Sequence, residues 1–260
     1  LIDDKYNLNI GSKLSLQILP IFYIVIFENF GLKELGDYGH FKLDLGAFAI
    51  PFTFLSVLFL INAFNYFDGI DGMLGINTIS VLAILYFLVS KHNTHFLVVE
   101  QNIQFFLLVI AIPIIFFLLF NFSFLNLPKL FLGDSGSLLL GFVISLILIY
   151  FANQNFIHPI LLAWSVVIFV YEFLSINLIR IRNKEKLFKA GRDHLHHIIY
   201  METNSLVFTN FLVSSMNIFL FTIGYLSYSF VSPIISFILF IFCFIIFFVL
   251  RNFYKIKYKI

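Results

Sequence analysis

Apolar residues in this chain gather into blocks at roughly 14–30, 47–63, 73–90, 103–120, 137–152, 159–179, 206–226 and 233–250, with short polar stretches between them. Each block is longer than a core strand and close to the ~20 residues with which a helix crosses a ~30 Å hydrocarbon layer, so the pattern predicts eight transmembrane helices. Where a block falls short, flanking Tyr, Asn and Lys at the interface complete the span. Strands are excluded, because in lipid they must close into a barrel with alternating polarity, and these blocks do not alternate. The expected fold class is an all-α polytopic membrane protein forming one integral membrane domain over residues 1–260.

Eight crossings place segments 1–13, 64–72, 121–136, 180–205 and 251–260 on one face. The loops near 31–46, 91–102, 153–158 and 227–232 fall on the other. Of the 16 Lys and Arg residues, thirteen lie on the first face and only Lys33, Lys42 and Lys91 on the second, which makes the first face cytoplasmic by the positive-inside rule. Composition agrees: 61% of residues are hydrophobic and 12% charged, against about 25% charged in soluble domains. A net charge of +2 offers no overall field for nucleic acid. The lone Cys243 can form no intrachain disulfide. The chain starts at Leu1 rather than Met, and it reads as part of a longer product.

Six of the eight Asp residues, Asp3, Asp4, Asp68, Asp71, Asp134 and Asp193, fall on the cytoplasmic side. Carboxylates gathered at one mouth repel one another unless a cation is present, so convergence implies a bound divalent metal or raised pKa values. Asp3-Asp4 on its own reads as a solvated helix start, and becomes informative only in company with the other carboxylates. Asn62, Asn65, Asp68 and Asp71 recur every third residue along one side of a helix end. Two Asp-Gly steps mean turns, but turns do not explain amides at the inner end of an apolar span, where polar groups are costly. Phe131-Leu-Gly-Asp-Ser-Gly-Ser137 opens the fifth block. Its Gly-Asp-Ser-Gly core also occurs around the nucleophile of trypsin-like proteases, but a continuous apolar helix follows here and excludes that all-β setting. At a helix N-terminus the same residues present N–H groups and a positive dipole end to phosphate, and Asp134 can hold a metal bound to it; the bland alternative is a plain N-cap. In Gly191-Arg-Asp-His-Leu-His-His197 the His spacing does not suit a helical zinc site, and Arg192 with the His residues suits an anionic diphosphate. Lys184, Lys186 and Lys189 read as topology signals. Glu172, inside a span, is expected to face the bundle interior, as a partner of Arg180 or as a proton relay.

Together these stretches resemble the polyprenyl-phosphate N-acetylhexosamine-1-phosphate transferases (glycosyltransferase family 4), nearer to the branch that uses simple N-acetylhexosamines. Ile2-Asp3-Asp4 is similar to that family's first aspartate pair, Asn62–Gly72 to its Asn-rich Asp-Gly segment, Phe131–Gly141 to its Phe-Leu-Gly-Asp-Ser-Gly segment, and Arg192–His197 to its His-rich loop. The resemblance implies transfer of N-acetylhexosamine-1-phosphate from a UDP-sugar to undecaprenyl phosphate, releasing UMP and starting a cell-envelope glycan such as O-antigen or teichoic acid. It implies Mg²⁺ or Mn²⁺ at Asp134 and catalytic roles for Asp3, Asp4, Asp68 and Asp71. It further implies substrate contacts from Asn62, Asn65, Gly69, Phe131, Arg192, His194, His196 and His197. The implied setting is the bacterial inner membrane with a cytoplasmic active site; no nucleic acid partner is expected, and a homodimer is compatible with it. About three further spans, eleven in all, are expected in the complete protein. Asn7 stands where relatives of this branch carry a third acid, and Glu172 stands for a more usual Asp. The competing class is a multi-spanning secondary transporter, which would bind near the midplane and show internal repeats; neither is visible.

Overall fold

Helices replace every one of the apolar blocks in a computed structural model of the chain, which describes residues 10–91, 97–185, 191 and 193–258. They are α1 (Ile10–Phe22), α2 (Ala49–Phe67), α3 (Met73–Lys91), α4 (Leu97–Asn121), α5 (Gly133–Asn153), α6 (Pro159–Ser165), α7 (Val167–Arg182), α8 (Leu195–Thr203), α9 (Leu206–Phe230) and α10 (Pro233–Tyr258). The all-α membrane class holds, and the span count changes. Among the described residues six helices, α2, α3, α4, α5, α9 and α10, are long and apolar enough to cross a bilayer unbroken. The first block is a shorter apolar stretch, Gly11–Phe27, in which α1 contains Pro20 and passes into a π-helical turn, Tyr23–Phe27. The block at 137–152 starts earlier, at Gly133, and is one helix of 21 residues.

The block at 159–179 is the clearest departure from eight straight spans: α6 and α7 meet at a 75° bend. A break inside lipid leaves backbone groups unpaired unless side chains reach them. Asn217 of α9, fully buried, does so. Its Oδ1 accepts from the Ile168 N–H at 3.3 Å, and its Nδ2 donates to Ser80 Oγ at 3.0 Å and to the Ser165 carbonyl at 3.5 Å. Beside the bend, Trp164 is fully buried, donates to Ser236 Oγ at 3.0 Å, and lies so close under Gly224 that a Cβ there would fall 2.3 Å from the indole.

The core is an aromatic and aliphatic layer around α2 and α7. Phe64 and Phe169 stack at 4.1 Å, Phe67 and Phe169 meet at 4.4 Å, and all three are buried. Close packing of such rings, which lipid tails cannot imitate, is the cohesive term available between helices, since moving them out of lipid gains no hydrophobic energy. Alpha2 and α5 pack especially tightly, since a Cβ on Gly141 would lie 2.7 Å from the Ile61 Cα.

Among the described residues, connecting segments gather at two ends of the bundle. At one end, residues 31–46 meet the 153–158 turn. Gly31 accepts from Asn153 Nδ2 at 2.9 Å, and His158 Nε2 bonds the Asp37 carbonyl at 3.0 Å. This stretch is not irregular throughout, because Glu34–Asp37 (β1) and Lys42–Asp44 (β2) form an antiparallel hairpin. At the other end the segments around 65–72, 121–137 and 193–197 converge. The 180–205 segment there carries its own helix, α8, beyond the topological role read from its charges.

Candidate active site

Alpha2 stops where Asp68 leaves helical geometry at φ −83°, ψ 48°. The chain then turns through Gly72, whose φ of +78° and the Phe122 ring 2.1 Å from a Cβ built there leave room for no side chain. Buried Asn121, at the end of α4, ties two loops together. Its Oδ1 accepts from the Gly72 N–H at 2.6 Å, and its Nδ2 donates to the Leu130 carbonyl at 2.8 Å. One side chain thereby fixes the Asp-Gly segment against the stretch leading into α5. On the far side of that stretch, Gly133 (φ +64°) opens α5 and puts Asp134 in its first turn. There the positive helix end favours a carboxylate.

These turns enclose a cavity of about 270 Å³ whose lining includes Asp68, Gly69, Asp71, Asn121, Phe131 and Asp134. Asp134 accepts from Asn65 Nδ2 at 3.3 Å and pairs with Lys13 at 3.0 Å, while Asn65 also donates to Ser137 Oγ at 2.9 Å. Burial, and then the charge of Asp134, push the Asp68 carboxyl up to about 6. Asp71 pairs with Lys129 at 2.6 Å, and its carbonyl accepts from Asn210 Nδ2 at 2.9 Å. Phe131 is 72% exposed, with the Lys129 ammonium 5.1 Å from its ring centre. Asn62, by contrast, does not line the cavity. It donates to the Leu58 carbonyl at 2.7 Å and to Gln17 Oε1 at 3.0 Å, joining α1 to α2.

The His-rich segment arrives from behind Gly69. A Cβ on Gly69 would lie 2.2 Å from His196 Nε2 and 3.1 Å from His197 Nε2. His194 meets the Tyr66 ring at 4.9 Å and stacks on His196 at 5.5 Å; His196 meets His197 at 4.4 Å. Burial pulls His194 down to about 3, against the opposing charge of Asp193 and with Arg180 adding to the fall, and it puts His196 well below the ordinary imidazole value, with neighbouring His residues and Arg251 adding in the same direction. Both are therefore neutral near pH 7. The segment is anchored by Asp193, whose carboxylate accepts from Arg180 at 2.9 and 3.3 Å and is held below the usual carboxylate range by that guanidinium despite its burial. Arg180 is thus engaged by Asp193. The expected Glu172–Arg180 pairing is corrected: Glu172 pairs with Arg251 of α10 at 3.2 Å and accepts from the Leu195 N–H at 2.6 Å.

Of the residues picked out in the sequence, Asp68, Gly69, Asp71, Phe131 and Asp134 come together around one cavity, Asn65 reaches it by bonding Asp134, and His196 and His197 pack behind Gly69 with His194 against them. Asp3, Asp4 and Arg192 lie outside the described residues. Among those described, no three His, Cys, Asp or Glu side chains are grouped closely enough to hold a metal ion. Within the cavity, the charge of Asp134 bears on Asp68. Sequence reasoning took Lys13, Lys129 and Arg251 only as topology signals. Their partners are carboxylates distant in the chain, so nothing local marks them. Asn121 did carry a signal, as an amide at the end of an apolar span.

Helices long and apolar enough to cross a bilayer thus carry, at one end of the bundle, an Asp-lined cavity bounded by an Asp-Gly turn and a Gly-Asp-Ser helix start. The sequence profile of glycosyl transferase family 4 matches residues 1–152, and the chain belongs to that family. It is similar to proteins named undecaprenyl-phosphate alpha-N-acetylglucosaminyl 1-phosphate transferase. The identity is 26% over 202 residues with that of Yersinia pestis, covering 76% of this chain and 54% of the relative. With that of Escherichia coli O157:H7 it is 29% over 203 residues, covering 76% and 53%. With that of Pasteurella multocida it is 30% over 203 residues, covering 76% and 56%. The chain spans about half the length of these curated relatives.

Proposed function

We propose that the protein transfers an N-acetylhexosamine-1-phosphate group, N-acetylglucosamine-1-phosphate by analogy with its relatives, from a UDP-sugar to undecaprenyl phosphate. A lipid phosphate oxygen forms a bond to the sugar-proximal phosphorus, the bond from that phosphorus to the UMP phosphate breaks, and UMP leaves. The observation that carries this reading is the shared cavity of Asp68 and Asp134, two carboxylates brought from separate loops to a helix N-terminus and an exposed aromatic ring. Phosphoryl transfer asks chiefly for positioning and charge neutralisation, and such a site supplies both.

The raised Asp68 pKa beside Asp134 fits a divalent cation, since two carboxylates in one cavity are relieved by positive charge. Asp134, with Asp68 in the same cavity, would hold Mg²⁺ or Mn²⁺, and Asp4 would support it. Bound there, the ion would neutralise the diphosphate oxygens as charge develops on the leaving phosphate. Asp3 would take the proton of the lipid phosphate. Asn65, Asp68 and Asp71 would orient the nucleotide, and Phe131 would stack on uracil. Arg192 and the His residues would face the diphosphate or sugar, His194 and His196 as neutral hydrogen-bonding groups rather than positive charges. Asn62 would act through the α1–α2 joint, and Gly69 by admitting His196. The thirteen basic residues in the segments that the hydropathy pattern assigns to this face support a cytoplasmic site in a bacterial plasma membrane.

The test is exchange of radiolabelled UMP into UDP-N-acetylglucosamine by membranes containing the complete gene product. The rate should require a divalent cation and undecaprenyl phosphate. Proteoliposomes that move a solute while showing no such exchange would put a transporter in its place.

A further inference from the structure

Two buried ion pairs hold the short run Asp193–Leu195 that carries the His residues to Gly69. One is local, between Asp193 and Arg180. The other joins two helices far apart in the chain but packed side by side, α7 and α10: Arg251 of α10 donates from Nε to Glu172 Oε2 at 3.2 Å and from Nη2 to Glu172 Oε1 at 3.3 Å. Glu172 Oε1 in turn accepts from the Leu195 N–H at 2.6 Å. Leu195 is the first residue of α8, and its amide is one of the donors that a helix start leaves without an intrahelical partner. The two side chains are only 1% and 2% exposed.

Stability alone is a poor reason for this arrangement. An apolar pair of the same volume packs about as well as a buried ion pair, because both charges must be stripped of water. What the pair supplies is direction. The guanidinium fork fixes both carboxylate oxygens, and one of those oxygens is aimed at the first amide of α8. There is no slack beyond it, because His196 of α8 sits where a Gly69 side chain would be, and Gly69 lines the cavity. A small shift of α8 is therefore delivered directly to the Asp68–Gly72 turn.

We propose that Arg251, acting through Glu172, is a positioning residue for the transfer reaction: the last helix sets the placement of α8 against the Gly69 turn, and so the nucleotide-sugar side of the site. This rests on the transferase reading above. The experiment compares the complete protein with Arg251→Met, Arg251→Lys and the double variant Glu172→Gln/Arg251→Met, by amide hydrogen exchange and by UMP-exchange kinetics. In Arg251→Met and in the double variant, amides of 195–199 should exchange at least tenfold faster while those of 206–230 are unchanged. The KM for UDP-sugar should rise tenfold or more with the KM for lipid phosphate unaltered, and Arg251→Lys should recover part of the loss. The double variant leaves no unpaired buried charge, so it decides the matter if Arg251→Met alone does not fold. Unchanged protection of 195–199 overturns the latch by itself, and looser 195–199 with unchanged KM overturns the positioning role. Absence of UMP exchange in the unsubstituted protein instead sinks the transferase reading, and the positioning role with it.

Discussion

Asp134 shows how much of this site is carried by single side chains. It stands in the first turn of α5 and takes an amide from α2 and the Lys13 ammonium at once, and it lies in the cavity where the Asp68 carboxyl is raised. Asp134→Asn keeps the shape and removes the charge, so UMP exchange should be lost while membrane insertion and yield stay as before; retained exchange would remove Asp134 from the cation site. Asp68 makes a pH prediction whose sign follows from its shift. Its pKa goes from an ordinary 3.8 to about 6 in the fold, so between those values the folded protein binds a proton that the unfolded chain does not. The stability this contributes is complete below pH 3.8 and lost as pH rises through about 6. Asp68→Asn should therefore raise the thermal midpoint of the cation-free protein at pH 7 to 8. The gain should shrink between pH 6 and 4 and vanish below, and a gain independent of pH would contradict the burial-driven shift.

Among the elements, the bent α6–α7 pair is the most demanding, because its ladder is interrupted where water cannot substitute. Asn217 carries that burden with both ends of its amide. Asn217→Leu should cost about 1–3 kcal/mol, the usual penalty of a buried donor left unpaired, read as a lowered thermal midpoint in detergent. An unchanged midpoint would mean that the bend is satisfied otherwise. The eight apolar blocks announced where helices lie, since hydropathy reports burial in lipid or protein without reference to neighbours. They did not announce the bend, because Val166 and its surroundings are as apolar as the rest of the block, and the group that compensates lies on α9. Nor did they announce α8 or the β1–β2 hairpin, which are short and polar and draw on contacts with other segments.

In the whole molecule, the thirteen basic residues that the hydropathy pattern assigns to one face, against three on the other, predict orientation. In a Cys243→Ser background, cysteines at position 184 and position 40 should react with an impermeant thiol reagent from the inner and the outer face respectively; the reverse result would invert the site. Lys184 itself is exposed with no side-chain partner in the cavity, so Lys184→Gln should leave UMP exchange within about twofold. A large loss would show that the 180–191 loop does more than fix topology.

Membrane residence and helix positions follow from the order of residues, and the expectations for sidedness and for the motif residues are drawn from it too, since each depends on local composition or on charge counted loop by loop. Pairings do not. That Glu172 serves Arg251 and Leu195 rather than Arg180, that Lys13 answers Asp134, and that Asn62 turns toward α1 while Asn65 turns toward Asp134 depend on which helices lie side by side. Such adjacency is settled by close packing among glycines and rings such as Gly141, Gly224, Phe64 and Phe169, where a few tenths of an ångström choose the neighbour and a linear pattern carries no distance.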